Sequence, residues 1–125
     1  MEFTIDREIF LEGIQKTLGI VEKQTATPIL QNVLVKTMDG NTAIEILATN
    51  REIGIRINYD ASVIKPGELT IPGKKLNEIL RELQGETVHL ATKGKNAAVL
   101  TSNKAVCKIN GLEAADFPEM VNPEG

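Results

Sequence analysis

The sequence has 125 residues, 42% hydrophobic and 25% charged, the make-up of one globular domain able to bury a core of its own. No apolar run is long enough to cross a bilayer, the opening Met1–Asp6 has neither a basic leader nor a signal-type apolar block, and the single cysteine, Cys107, excludes an internal disulfide, so a cytoplasmic protein is expected. The net charge of −3 argues against tight nucleic-acid binding by the chain as a whole.

In chain order, a short β-branched strand, Phe3–Ile5, runs into a helix start. Asp6 is placed to cap the helix, and Glu8 in the first turn favours the helix dipole. Apolar residues then recur at spacings of three and four through Phe10, Ile14, Leu18 and Val21. Val33-Leu34-Val35 reads as a strand and leads to Met38-Asp39-Gly40-Asn41, whose Asp-Gly is a strong hairpin signal. Ala43–Leu47 and Ile53–Ile57 alternate apolar and polar residues, as half-buried strands do. A second strand–helix pair follows. Leu69–Ile71 meets the turn Pro72-Gly73, the helix shows Leu76, Ile79 or Leu80, and Leu83, and Gly85 stands just past its end. Three more strands close the pattern, at Thr87–Thr92, Ala97–Thr101 and Ala105–Ile109.

The chain repeats itself. Residues 3–19 (FTIDREIFLEGIQKTLG) lie against 69–85 (LTIPGKKLNEILRELQG), and 48–58 (ATNREIGIRIN) against 100–110 (LTSNKAVCKIN). Two half-repeats, about 1–60 and 65–110, therefore make up a single domain over 1–125. The expected fold is α+β with an internal pseudo-twofold axis. Two amphipathic helices pack on about eight strands arranged in two antiparallel sheets.

Catalytic chemistry has no visible seat. His89 stands between Val88 and Leu90 in an alternating run and is expected to face solvent, while Cys107 has no histidine nearby and reads as a packing residue. The tract from Gly67 to Lys75 fails as a phosphate loop, because five residues separate its glycines and Lys75 stands where Ser or Thr is required. With no Trp, one Tyr and three Phe, a base-stacking platform is excluded, and there is no helix-turn-helix or zinc pattern. No catalytic residue, metal ligand or cofactor is expected. Charge is uneven, with eight basic and four acidic residues over 65–108 but six and nine over 1–64, and none and four over 109–125. This pattern suits either one-sided contact with a polyanion or an ordinary solvated surface.

Five segments, Met1–Ile5, Thr27–Asn32 (TPILQN), Ala48-Thr49-Asn50, Ile71–Lys75 (IPGKK) and Ala115–Pro118 (ADFP), occur in the order found in bacterial DNA sliding clamps, the beta subunits of DNA polymerase III, and the sequence resembles the first domain of that family along its whole length. The resemblance implies a non-catalytic processivity factor of DNA replication, catalogued with DNA-directed DNA polymerase. Three such domains form a subunit, and two subunits close head to tail into a homodimeric ring around double-stranded DNA, read without regard to sequence. Helices line the channel and sheets form the rim. On this basis the chain is expected to be a fragment followed by about two further copies of the domain. The clamp loader and the replicative polymerase would dock through those later domains, which hold the peptide pocket; no membrane is involved.

The same resemblance assigns residues. Lys23 and Gln24, in the loop after the first helix, stand at the DNA-contacting position, where the family normally has an arginine at Gln24. Lys74 and Arg81, seven apart on the second helix, match its DNA-facing positions, and Lys16 on the first helix is a further candidate beside Glu12. A solvated helix face is the alternative for all of them. Lys75, Ile79, Lys104, Cys107 and Ile109 match the edge that joins the partner subunit, where many relatives have an aromatic residue in place of Cys107; core packing is the alternative there. The rival function is a free-standing protein-interaction module without DNA contact.

Overall fold

The computed structural model describes residues 1–20, 28–50 and 52–118. Each half-repeat opens with a strand that runs directly into a helix: β1 (Glu2–Asp6) into α1 (Arg7–Leu18), and β6 (Glu68–Pro72) into α2 (Gly73–Glu82). A meander follows each helix. After a 3-10 turn at Pro28–Gln31, the first half has β2 (Asn32–Thr37), β3 (Ala43–Thr49) and β4 (Gly54–Asp60). The second has β7 (Thr87–Lys93), β8 (Ala97–Ser102) and β9 (Ala105–Asn110). One strand exceeds the eight read from the sequence: β5 (Ser62–Lys65), four residues that pair only with β1.

The halves exchange their first strands. One sheet has the order β5-β1-β7-β8-β9 and the other β4-β3-β2-β6, so β1 completes the second meander and β6 the first, and every pairing is antiparallel. The swap is symmetric in detail. Phe3 faces Leu90 and Ile5 faces Val88 across β1–β7, while Leu69 faces Val35 and Ile71 faces Val33 across β6–β2. Beyond β6, an isolated bridge from Thr70 to Leu112 stands where β5 stands beside β1. The later repeat needs one adjustment. Matching 48–58 to 100–110 without gaps keeps the hairpin registers, but the sheet pairings set Ile46 opposite Val35 and Leu100 opposite Leu90, so Ile46 corresponds to Leu100 and Ile57 to Cys107. The shift arises because the β3–β4 hairpin extends further past its sheet than the β8–β9 hairpin.

Helix-period and strand-period residues meet in one core. Phe3, Phe10, Ile14, Val33, Ile44, Ile46, Ile71, Leu76, Leu80, Leu90 and Leu100 are among its fully buried members, and Phe3 and Phe10 meet edge to face at 5.9 Å between ring centres. Of the adjacent pair Ile79 and Leu80 on α2, Leu80 is the buried one and Ile79 packs at the margin. Of the residues read as the α1 stripe, Phe10 and Ile14 are buried and Leu18 half-buried, while Val21 lies outside the described residues. α1 and α2 pack on each other; α1 also touches β1 and β7 of one sheet and β3 and β4 of the other, and α2 touches β6 and β9. The two helices thus lie side by side across both sheets. Gly13 permits this on the α1 side, because a Cβ there would come within 2.5 Å of the Tyr59 ring.

The helix ends are tied in different ways. Asp6 caps α1 by accepting from the Ile9 amide at 3.0 Å. Pro72 gives α2 no side-chain cap at its start. At its end, Arg7 from the start of α1 reaches across and donates from Nε to the Gly85 carbonyl at 2.8 Å and from Nη1 to the Leu80 carbonyl at 2.9 Å. A carbonyl in the last turn of a helix has no partner within the helix, so one guanidinium both satisfies it and pins the two helices together. Gly85 lies beyond the helix end, at Leu83, and is tucked under Ser102 where a side chain would collide.

Candidate nucleic-acid interface

The helix pair presents its solvent-facing side chains on one surface. On α1 these include Glu8, Glu12, Gln15 and Lys16, and on α2 they include Lys74, Lys75, Glu78, Arg81 and Glu82. Lys74 and Arg81 are seven residues apart, which on an α-helix leaves them only about 20° apart in direction and about 10 Å apart along the axis. Both are exposed, and among the described residues no carboxylate lies within ion-pairing distance of Lys74, Lys75 or Arg81. Lys16 differs, because its ammonium sits 3.9 Å from the Glu12 carboxylate one turn away. Lys23 and Gln24 lie outside the described residues. The exposed charges of the two helices balance, with Lys16, Lys74, Lys75 and Arg81 against Glu8, Glu12, Glu78 and Glu82. Such a surface attracts a polyanion weakly, through a few directed cations.

The second group of candidates gathers at one end of the first sheet. β9 is an edge strand, and α2 packs beside it. Lys75 is exposed on α2; Ile79, four residues on, is half-buried against the core. Lys104 is exposed in the β8–β9 turn, beside an open groove lined by Glu82, Gln84, Ser102, Asn103 and Ala105. Cys107 is half-buried and Ile109 is only 4% exposed, both on the inward side of β9. Ile109 therefore packs in this domain's own core, and what β9 offers a neighbour is its free backbone edge and the outward Val106 and Lys108. β4 is the edge of the other sheet in the corresponding place.

Two clusters were not foreseen from sequence. His89 does point to the outer face of its sheet, but it is half-buried there and its Nε2 lies 2.7 Å from Glu2 Oε2 on the neighbouring strand. Glu45, 6% exposed, is flanked on the outer face of the second sheet by Lys36 Nζ at 3.7 Å and Arg56 Nε at 3.5 Å. The strand register supplies the reason, since Lys36 is opposite Glu45 and Arg56 is opposite the adjacent Leu47. Alternation in the sequence sets these residues outward; only the register shows that they meet. Among the described residues there is no group of three or more His, Cys, Asp or Glu side chains that could hold a metal ion, and no helix long and apolar enough to cross a membrane.

Comparison with known proteins gives one answer. The beta sliding clamp of Pseudomonas aeruginosa is 29% identical over 128 residues, covering 100% of this chain and 34% of the relative. That of Chlamydia muridarum is 27% identical over 118 residues, covering 94% and 32%. Among solved structures, the Caulobacter crescentus beta sliding clamp superposes with a TM-score of 0.90 at 29% identity, covering 98% of this chain and 33% of that one. The Bacillus subtilis DNA polymerase sliding clamp, 23% identical, shares the fold with a TM-score of 0.91. The chain spans about a third of the length of the curated relatives it matches. The family described as the DNA polymerase III beta subunit, N-terminal domain, matches residues 1–121, and the chain belongs to it.

Proposed function

We propose that this chain is the first of three similar domains in a ring-forming subunit, and that two subunits close around duplex DNA to tether the replicative polymerase. The observation that carries the reading is the arrangement of edges and helices. Two helices lie side by side on two sheets, and each sheet ends in a free strand, β4 or β9, at corresponding places in the two halves. A domain of this kind joins its neighbours edge to edge, and a closed series of them sets the sheets outside and the helices inside. Lys74 and Arg81, with Lys16, Lys23 and Gln24, would meet phosphates in the channel. Lys75, Ile79, Lys104 and Cys107, with the free backbone edge of β9 up to Ile109, would meet the partner subunit.

The balanced charge of the helices fits this role. A ring holds DNA by enclosing it, so it needs few phosphate contacts, and strong ones would oppose sliding. The protein would do no chemistry itself. Its effect would come from keeping a bound polymerase at high effective concentration near the primer end. The clamp loader and the polymerase would dock on domains beyond this one, in the cytoplasm. The test uses the full-length subunit loaded on circular and linear duplexes. Retention on circles, with release when a restriction cut opens them, is expected. Equal retention on both forms would overturn the ring reading.

A further inference from the structure

The excess of positive charge in this chain lies on its first sheet, not on its helices, where cations and carboxylates nearly cancel. Strand alternation turns Phe3, Ile5, Val88, Leu90, Leu100 and Ile109 of the first sheet into the core, and so turns Lys93, Val99, Val106 and Lys108 to the opposite, outer face. Lys65 is exposed at the end of β5, opposite Glu2 where the β1–β5 register shifts, and Lys95 and Lys104 stand in the turns at the ends of β8. Together the first sheet and its turns carry these five lysines against two carboxylates, in a chain of net charge −3. Both carboxylates are engaged, Glu2 with His89 at 2.7 Å and Asp6 as the α1 cap. One lysine has already drawn an acidic residue from outside the sheet: Lys95 lies 3.7 Å from Glu113, in the segment after β9.

The outer positions between the lysines carry small or apolar side chains, Ala91, Ala97, Val99 and Val106. Val99 lies between Ala91 on β7 and Lys108 on β9, and Val106, 67% exposed, pairs with Thr101 one row along. No Phe, Tyr or Trp stands on the outer positions of these strands, and the one imidazole there, His89, is held by Glu2 at 2.7 Å, so bases would find no free platform to stack on. Extended peptides place alternate side chains on one face, a spacing that matches the rows of a sheet. We propose that the outer face of the first sheet docks an extended acidic segment of a partner protein, its carboxylates meeting Lys93 and Lys108 and its apolar side chains lying on Val99 and Val106. This surface is separate from the helix pair, and it borders the β9 edge that the ring reading gives to the partner subunit, so it is tested on the chain with that edge unoccupied.

The test is a titration of the 125-residue chain with a fluorescein-labelled peptide of alternating Glu and Val, followed by anisotropy and by amide chemical shifts. Saturable binding at low salt is expected, weakening as salt rises, with shifts centred on Ala91, Val99, Val106 and Lys108. K93E/K108E is expected to weaken it about tenfold or more, since two attractions become repulsions, whereas K74E/R81E leaves it unchanged. A Lys-Val peptide serves as the charge control and should not bind. Circular dichroism checks folding; if K93E/K108E unfolds, K93Q/K108Q replaces it, with a smaller loss of the same direction expected. The proposal is overturned if the Glu-Val peptide does not saturate, if the shifts fall on the helices, if the folded variant binds like the parent, or if oligothymidylate occupies the same face more tightly than the peptide.

Discussion

Replacing Lys74 and Arg81 together by alanine in the full-length subunit tests the proposal that the helix face of the domain meets DNA. Both side chains are exposed on one face of α2, with no carboxylate in pairing distance among the described residues, so their charge is available to phosphate. Each phosphate contact contributes about 0.9 to the slope of log affinity against log salt on duplex DNA. Two residues in each of two subunits make four contacts, so the double variant should lower the slope by about 3.6. Folding should hardly change. Exposed substitutions of this kind are worth about 0.5 kcal/mol or less, with a few tenths more for losing Arg81 from the last turn of α2, where it favours the dipole. Lys16→Ala is the internal comparison; Glu12 lies 3.9 Å away, so its removal should change the slope by less than about one per pair of subunits. The assay is equilibrium binding to a short linear duplex over a salt series, where the ring can enter and leave freely. An unchanged slope in the folded double variant would show that α2 does not face the DNA, and would refute the assignment of both residues.

Three stability predictions follow from the packing, each read by denaturant unfolding of the 125-residue chain. Arg7→Ala removes two charged hydrogen bonds, to Leu80 and Gly85, and should cost about 2–3 kcal/mol, with Arg7→Lys recovering only part because one ammonium cannot span both carbonyls. Gly111→Ala would push a methyl group onto the Thr70 carbonyl, which accepts from Leu112 at 3.0 Å, and should cost about 1–3 kcal/mol with loss of amide-exchange protection at Leu112. Tyr59→Phe should be neutral or stabilise by about 1 kcal/mol, because the buried Tyr59 hydroxyl has no hydrogen-bond partner among the described residues; a loss above about 1 kcal/mol would contradict that.

Local order was legible in the sequence wherever one short segment decided it. Asp6 caps α1 as its position indicated, and Asp39-Gly40 forms the expected turn, with Gly40 at φ 92° and Asn41 at φ 58°. The stripe on α2 resolves to Leu76, Leu80 and Leu83. β5 escaped notice because Ser62–Lys65 is short, stops at Pro66-Gly67 and shows little alternation. Partners were less legible than elements. Nothing in Phe3–Ile5 tells it to join β7 in preference to β2, because both present a β-branched or leucine-rich inward face; the exchange emerges only when two whole halves pack. The tie from Arg7 to the end of α2 escaped for the same reason, as its partners are 73 and 78 residues away. Of the site, the exposure of Lys74, Lys75, Arg81 and Lys104 could be read from helix and turn positions, and the burial of Ile109 could not be separated from an interface role.

The strand exchange has a consequence for how the two halves can exist. Residues 1–60 alone would leave the β2–β3–β4 sheet without β6, exposing the inner edge of β2 to which Leu69 and Ile71 belong, and would leave Phe3 and Ile5 of β1 without Val88 and Leu90. The half from 65 to 110 has the mirror-image defect. Each half would lose the burial of its first strand and the shared helix contact, and each buried Ile, Leu or Phe side chain is worth about 1.5–3 kcal/mol, so three or four of them amount to about 4.5–12 kcal/mol, as much as a typical domain's whole stability. The halves expressed separately should therefore be unstructured and regain native circular dichroism on mixing, as one complementing pair. Independent cooperative unfolding of either half would mean that the exchanged pairing is dispensable. The helix pair, held side by side by the crossing strands as well as by Arg7 and direct packing, would then lose part of what fixes it as one surface.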